Sequence, residues 1–206
     1  MASVATQYWW YRPYLTQAAL TGFDSYCYSC QDTNPLSKYI LHPFWNKAVL
    51  VCPKWIAPNL LTFVGFLCCF LHYLLPALYD YNFTASTLNS SNYIPPLVWL
   101  LAGIFLFLSH TLDGIDGKQA RRTGTSSPLG ELFDHGCDSW AMVLTTSTFY
   151  NIFGRNDDGY SIEPIRMYFI LWCIFISFHA SHFEKYNTGI MYLPWTAGTL
   201  LRIKTQ

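Results

Sequence analysis

The chain has 206 residues, twelve acidic and twelve basic side chains, and a formal net charge of zero. It is 52% hydrophobic and 18% aromatic but only 12% charged, about half the charged share of an ordinary soluble domain. The absence of any Lys/Arg run argues against a nucleic-acid partner, and seven cysteines without framework spacing (27, 30, 52, 68, 69, 137 and 173) argue against a disulfide scaffold. Fifteen Tyr, fifteen Phe and eight Trp suit a membrane protein with aromatic belts at its interfaces.

Residues 1–30 form an N-terminal extension with an aromatic cluster (Tyr8, Trp9, Trp10, Tyr11, Tyr14) but without the charged start and cleavage site of a signal peptide. Cys27 and Cys30 have CxxC spacing, yet no second pair at zinc-site spacing accompanies them. Residues 31–56 read as an interfacial amphipathic helix region. Asn34 is a cap residue, Pro35 suits the first helical position, and the run to Cys52 mixes Ile40, Phe44, Trp45, Val49 and Leu50 with Lys38, His42 and Lys47. Pro43 is expected to bend that helix. Ala57–Tyr79 is the first spanning candidate, 23 uncharged residues reaching about 34 Å at 1.5 Å each. Ile94–Leu112 is the second, 113–130 a connector, Glu131–Phe153 the third helix and Ile165–Phe183 the fourth. Residues 196–206 make a short polar tail. The expected fold is therefore all-α: a polytopic transmembrane helical bundle over residues 57–195, preceded by the interfacial helix.

Charge placement sets the expected orientation. Arg12, Lys38, Lys47 and Lys54 precede the first span, Lys118, Arg121 and Arg122 lie between the second and third, and Lys185, Arg202 and Lys204 follow the fourth. The loop 80–93 has no Lys or Arg, so the positive ends should face the cytosol and the sequons at Asn82 and Asn89 the lumen.

The chemistry concentrates between 113 and 138. Asp113, Asp116, Asp134 and Asp138 are spaced three and four apart, so each pair lies on one helix face. Four carboxylates aimed at one point repel one another unless a cation joins them, and hard oxygen ligands favour Mg²⁺, Mn²⁺ or Ca²⁺ over zinc. A solvated acidic loop is the plainer reading, but acids flanked by membrane-length apolar runs are costly to place and usually functional.

The stretch reads D-x-x-D-G-x-x-A-R, eight residues, then G-x-x-x-D-x-x-x-D, with Asp113, Asp116, Gly117, Ala120, Arg121, Gly130, Asp134 and Asp138 in the fixed places. This resembles the signature of the CDP-alcohol phosphotransferases. The stretches Gly22–Asp24, Asp32–Ser37, His42–Asn46, Trp55–Asn59 and Ser181–Gly189 look like the eukaryotic ethanolaminephosphotransferase branch. The resemblance implies an enzyme that uses Mg²⁺ or Mn²⁺ to move phosphoethanolamine from CDP-ethanolamine to diacylglycerol, giving phosphatidylethanolamine and CMP. It implies Asp113, Asp116, Asp134 and Asp138 as metal ligands and Asp138 as the base, with His135 the second candidate because its ordinary pKa lies near neutral. Gly117, which lets backbone approach the nucleotide, Lys118 and Arg121, which suit phosphate, and Gly130 are the substrate-binding candidates. Asn59 and Thr62, at the same level on the first span, either contact the nucleotide or simply cap their helix.

His110 is expected to pack or cap, His179 and His182 to be interfacial polar residues, and Glu184 to pair with Lys185. The expected partners are CDP-ethanolamine, diacylglycerol and membrane lipid, with a homodimer as the family's assembly, in the endoplasmic reticulum or Golgi with the site facing the cytosol. Family members are nearly twice as long, with about ten spans, so the chain reads as truncated. The competing readings are a choline or dual choline/ethanolamine enzyme, and an inactive membrane fragment that binds CDP-alcohol or modulates a longer relative.

Overall fold

The computed structural model describes residues 15–24, 28–83, 93–153 and 162–193. Four long helices dominate it: α3 (Pro58–Tyr79), α4 (Pro96–Thr123), α5 (Pro128–Phe153) and α6 (Pro164–Thr188). Each opens on a proline, whose fixed φ and missing N–H cost nothing in the first turn of a helix. Before them lie α1 (Gln17–Asp24), a three-residue strand β1 (Cys30–Asp32), a wide π turn over Ser37–Leu41, and α2 (His42–Val51). A second short strand, β2 (Met191–Leu193), follows α6 and pairs in parallel with β1, Gln31 opposite Tyr192. The fold is thus nearly all-helical, with this two-stranded clasp as the departure from the expected all-α class.

One local expectation holds in detail and another does not. Asn34 Oδ1 accepts the Leu36 N–H at 3.0 Å, the bond expected of a cap with proline after it. Pro43 is accommodated rather than bending a helix midway. It falls in the first turn of α2, directly after the π turn, where the His42 N–H reaches back five residues to Ser37 O.

One boundary differs. The expected connector 113–130 is mostly helix, because α4 runs without a break to Thr123 and only four residues separate it from α5. Lys118-Gln-Ala-Arg-Arg122 is made of strong helix formers, which carry the helix past the glycines at 114 and 117. Gly124 ends it at φ +68°, a conformation that other residues adopt with strain. The first aspartate pair therefore sits in the body of a helix, not at its end.

Among the described residues, three helices, α3, α4 and α6, are long and apolar enough to cross a membrane. The fourth spanning candidate, α5, matches them in length but carries Glu131, Asp134 and Asp138 in its first three turns. The outer faces of the bundle expose Phe63, Leu67, Phe70, Leu97, Leu100, Phe107, Phe169, Trp172 and Ile176, the surface of an integral membrane protein. At the end of the bundle away from the aspartates, Asn151, fully buried, donates to Asp80 O at 2.9 Å and joins α5 to the end of α3.

Under the aspartates the core is built from Trp45, Val49, Cys52, Leu61 and Ile115, which pack α2 against α3 and α4. Polar bonds reinforce it. Arg122 Nη1 donates to Val49 O at 2.8 Å and to Cys52 O at 2.7 Å, satisfying carbonyls at the end of α2. Gln119 Nε2 donates to Pro53 O at 2.8 Å and Ile56 O at 3.2 Å, pinning the α2–α3 loop to α4. Together these bonds tie α2 and the loop after it to the last turns of the aspartate-bearing helix.

Candidate active site

The four aspartates converge from α4 and α5. Asp113, Asp116 and Asp134 each offer a carboxylate oxygen within 4.8 Å of the others, and Asp134, His135 and Asp138 form a second group at the same spacing. Asp134 belongs to both. The three-residue step from 113 to 116 and the four-residue step from 134 to 138 place each pair on one face of its helix.

Asp116 is the most rigidly held. It is buried, its Oδ2 accepts from the Thr62 hydroxyl and its Oδ1 from the Gly117 N–H. The first bond crosses from α3 to α4, so Thr62 acts on the site directly instead of capping its own helix. Asn59 also fails to cap: the residue before α3 is Ala57, without a side-chain cap, and Asn59 Oδ1 lies where a Cβ on Gly130 would stand 3.3 Å away. Gly130 thus lets the start of α5 lie close to α3.

The basic residues sit one turn beyond. Lys118 Nζ donates to Asn46 Oδ1 at 2.9 Å, while Arg121 is exposed, with an Nη1 3.6 Å from where a Cβ on Gly117 would lie. Gly114, between the first two aspartates, is pressed against Trp45, whose indole Cε2 would stand 2.2 Å from an added Cβ. His110 packs edge-on against the same indole at 5.3 Å between centroids, as its packing reading requires.

Glu131 and Tyr28, to which sequence reasoning gave no role, and Lys185, which it paired with Glu184, lie beside the site. Glu131 Oε1 lies 3.3 Å from His135 Nε2 and is also paired with the Lys185 ammonium from α6. The expected Glu184–Lys185 pair is replaced by this cross-helix one. The four-residue step from Glu131 to His135 was the available signal. Tyr28, just before β1, places its ring 4.5 Å from Lys185 Nζ. Burial, and next the neighbouring Cys30, push its hydroxyl well above the usual tyrosine range, with Asp134 and Arg121 also near enough to act on it. His179 and His182 do not share a site: each Nδ1 bonds a carbonyl four residues back, at 2.9 and 2.8 Å, and His182 stacks edge-on against His135 with centroids 4.4 Å apart. Cys27 and the second sequon lie outside the described residues.

The donors fit a divalent cation. Asp134 Oδ1 is buried with no hydrogen-bond partner, an arrangement a carboxylate tolerates when a cation completes it. Hard oxygens alone make up the first group, which suits Mg²⁺ or Mn²⁺. Thr62→Val removes the donor that aims Asp116 and is expected to weaken Mn²⁺ binding roughly tenfold or more, as loss of an outer-shell partner does. Titration of the metal into purified protein, followed by electron paramagnetic resonance, checks this; unchanged binding would show that the Thr62 hydroxyl does not tune the site through Asp116.

Two cavities meet at Asp138. One, of about 150 Å³, lies between α3, α4 and α5 and is lined by Thr62, Ser109, His110, Asp113, Cys137 and Asp138. The other is an apolar groove of about 590 Å³ between α5 and α6, running from Asp138 past Met142, Phe149 and Ile170.

A bundle of apolar helices thus carries, at one end, an aspartate cluster whose oxygens are spaced to hold a divalent cation. The sequence model of the CDP-alcohol phosphatidyltransferases matches residues 55–195, and the chain belongs to that family. It is similar to ethanolaminephosphotransferase 1 of Homo sapiens, 53% identical over 182 residues, which cover 88% of this chain and 45% of that protein. Ethanolaminephosphotransferase 1 of Mus musculus is 52% identical over the same share of each chain. Choline/ethanolaminephosphotransferase 2 of Arabidopsis thaliana is 38% identical over 188 residues, 90% of this chain and 44% of the plant protein. The chain spans just under half the length of the curated relatives it matches.

Proposed function

We propose that this chain carries the transfer site of an ethanolaminephosphotransferase, moving phosphoethanolamine from CDP-ethanolamine to the hydroxyl of diacylglycerol with release of CMP. The observation that carries the reading is that Asp138 lines both the polar cavity and the apolar groove. An anionic nucleotide and a two-chain lipid need such adjoining places, and their reacting groups would meet at that residue. The similarity at 53% and 52% to ethanolamine enzymes, against 38% to a dual one, supports the head group.

Asp113, Asp116, Asp134 and Asp138 would hold the ion. Bound Mg²⁺ or Mn²⁺ would polarise the diphosphate and neutralise charge on the departing CMP. Arg121 and Lys118, at the open end, bind phosphate oxygens, and Gly117 leaves the nucleotide room against the backbone. The lipid hydroxyl attacks the phosphorus bearing ethanolamine, the bond from that phosphorus to CMP breaks, and CMP leaves with the bridging oxygen. The hydroxyl proton goes to a base. Glu131 faces His135 Nε2 at 3.3 Å, and His135 Nδ1, which carries the lone pair when the ring is neutral and protonated on Nε2, is buried, without a hydrogen bond and 3.8 Å from Asp138 Oδ2. That arrangement favours His135 Nδ1 as the base, with Asp138 facing the imidazolium it becomes. Lys38, Lys47, Lys54, Lys118, Arg121, Arg122 and Lys185 precede or flank the site end of the helices, and the positive-inside tendency orients it to the cytosol of the endoplasmic reticulum or Golgi.

The test is conversion of labelled CDP-ethanolamine with diacylglycerol and Mg²⁺ or Mn²⁺ by membranes carrying this chain, in a host lacking its own phosphotransferases, with CDP-choline alongside. Phosphatidylethanolamine formed in preference is the expected product. Equal or better use of CDP-choline would overturn the head-group assignment. Binding of CDP-ethanolamine without turnover would make the chain a nucleotide-binding part only.

A further inference from the structure

The first three turns of α5 carry three acids with different company. Asp134 and Asp138 fall in the groups of donors spaced for a metal ion, and Glu131 falls in neither. Its carboxylate already holds a cation of another kind. The Lys185 ammonium from α6 pairs with Oε1, and His135 Nε2 lies 3.3 Å from the same oxygen. Both contacts fall on Oε1, and among the described residues no donor reaches Oε2. An ionised carboxylate has about four acceptor positions over its two oxygens, so Glu131 can take a further N–H donor. The place is sheltered: the glutamate and lysine side chains are 16% and 17% exposed, and the Tyr28 ring lies 4.5 Å from the ammonium. Shelter of that sort strengthens a hydrogen bond between charged groups. The chain itself shows that a primary ammonium fits there, because Lys185 carries one.

Resting on the phosphotransfer reading above, we infer that Glu131 binds the ammonium end of the transferred head group through Oε2. Glu131 stands three and four residues before Asp134 and His135, about 4.5–6 Å along the axis of α5. With the diphosphate at the aspartate cluster, the two-carbon arm of CDP-ethanolamine has the reach to cover that step. One helix thus sorts the two ends of the transferred group, the aspartates serving its phosphate and the glutamate its amine. Lys185, against the Tyr28 ring, holds the carboxylate from α6 by its other oxygen, so the acid does not depend on the substrate for its place.

The experiment reads binding, not turnover, with the full chain in lipid bilayers and Mg²⁺ present. Labelled CMP is displaced by CDP-ethanolamine or by CDP-n-propanol, in which a methyl group of similar size replaces the ammonium. The wild type should bind CDP-ethanolamine about ten- to a hundredfold more tightly than CDP-n-propanol, the range for a hydrogen bond to a charged group. Glu131→Gln should bring the two within about threefold of each other by weakening CDP-ethanolamine, since the amide keeps the shape and loses the charge. CMP, which has no arm, reports whether the nucleotide end of each variant is folded. Should Glu131→Gln fail to bind CMP, Glu131→Asp supplies the second reading: it keeps the charge on a shorter arm and should still reduce the preference. A wild type that binds the two CDP-alcohols equally overturns the inference, as does a CMP-binding Glu131→Gln or Glu131→Asp chain with the full preference. A wild type that binds no CMP overturns the phosphotransfer reading on which the inference stands, so the two failures are told apart by CMP alone.

Discussion

Asp113→Asn is expected to lower turnover of CDP-ethanolamine by about a thousandfold or more, with the protein still inserted in the membrane. The substitution keeps the shape of the side chain but removes one of three carboxylates whose oxygens lie within 4.8 Å of one another. Loss of a single group that stabilises developing charge costs roughly 10²–10³ in rate, and a ligand that also assembles the ion's site costs at least that. Glu163→Gln is the control. Glu163 is exposed, pairs only loosely with Arg166 at 3.5 Å and lies at the start of α6, away from the cluster. Its turnover should match the wild type. Equal activity in Asp113→Asn and the wild type would remove Asp113 from the site. Asp116→Asn should behave like Asp113→Asn, and its partner Thr62 should give the smaller effect predicted above.

The largest structural effect is expected at Gly114. Even a methyl group there would come within 2.2 Å of the Trp45 indole, far inside contact distance, and the ring has little room to yield. Trp45 is 8% exposed, with His42 and His110 against it at 5.4 and 5.3 Å. Gly114→Ala should therefore push α2 off α4 at a cost of about 1–3 kcal/mol, the usual range for overpacking. A melting temperature several degrees lower in detergent is the readout. Gly103→Ala, on the same helix with nothing within 4 Å of an added Cβ, should melt with the wild type. Shrinking the ring in Gly114→Ala/Trp45→Leu should recover part of the loss. If both glycine variants melt alike, the close packing of α2 on α4 is not what holds this end together.

Much of this architecture can be read from local signals. Asn34 before Pro35 and uncharged runs of membrane length depend on neighbours in sequence, and both appear in the structure. The two aspartate pairs were legible for the same reason, since three- and four-residue steps on helices dictate shared faces. What local reading missed was decided by distant partners. The charged stretch 118–122 looked like a loop because its polarity suggested solvent. In the structure Gln119 and Arg122 turn inward and bond the α2 end and the loop after it. Thr62 was read as either a nucleotide contact or a cap because Asp116, 54 residues on, could not be foreseen as its partner. Lys185 was assigned to its sequence neighbour Glu184, whereas the carboxylate it meets lies on another helix.

The parallel pairing of β1 with β2 has a bearing on biosynthesis. Cys30 pairs with Met191, so the two halves of the clasp are separated by nearly the whole bundle in sequence. A ribosome delivers residues in order, and contacts between such distant segments form last. The cover that Tyr28 makes over Lys185 therefore closes only after α3, α4, α5 and α6 have all entered the bilayer. Until then Lys185 lacks the Tyr28 ring that lies 4.5 Å from it in the finished fold. A chain stalled after α5 would carry all four aspartates yet lack both Lys185, the partner of Glu131, and the strand that pairs with β1.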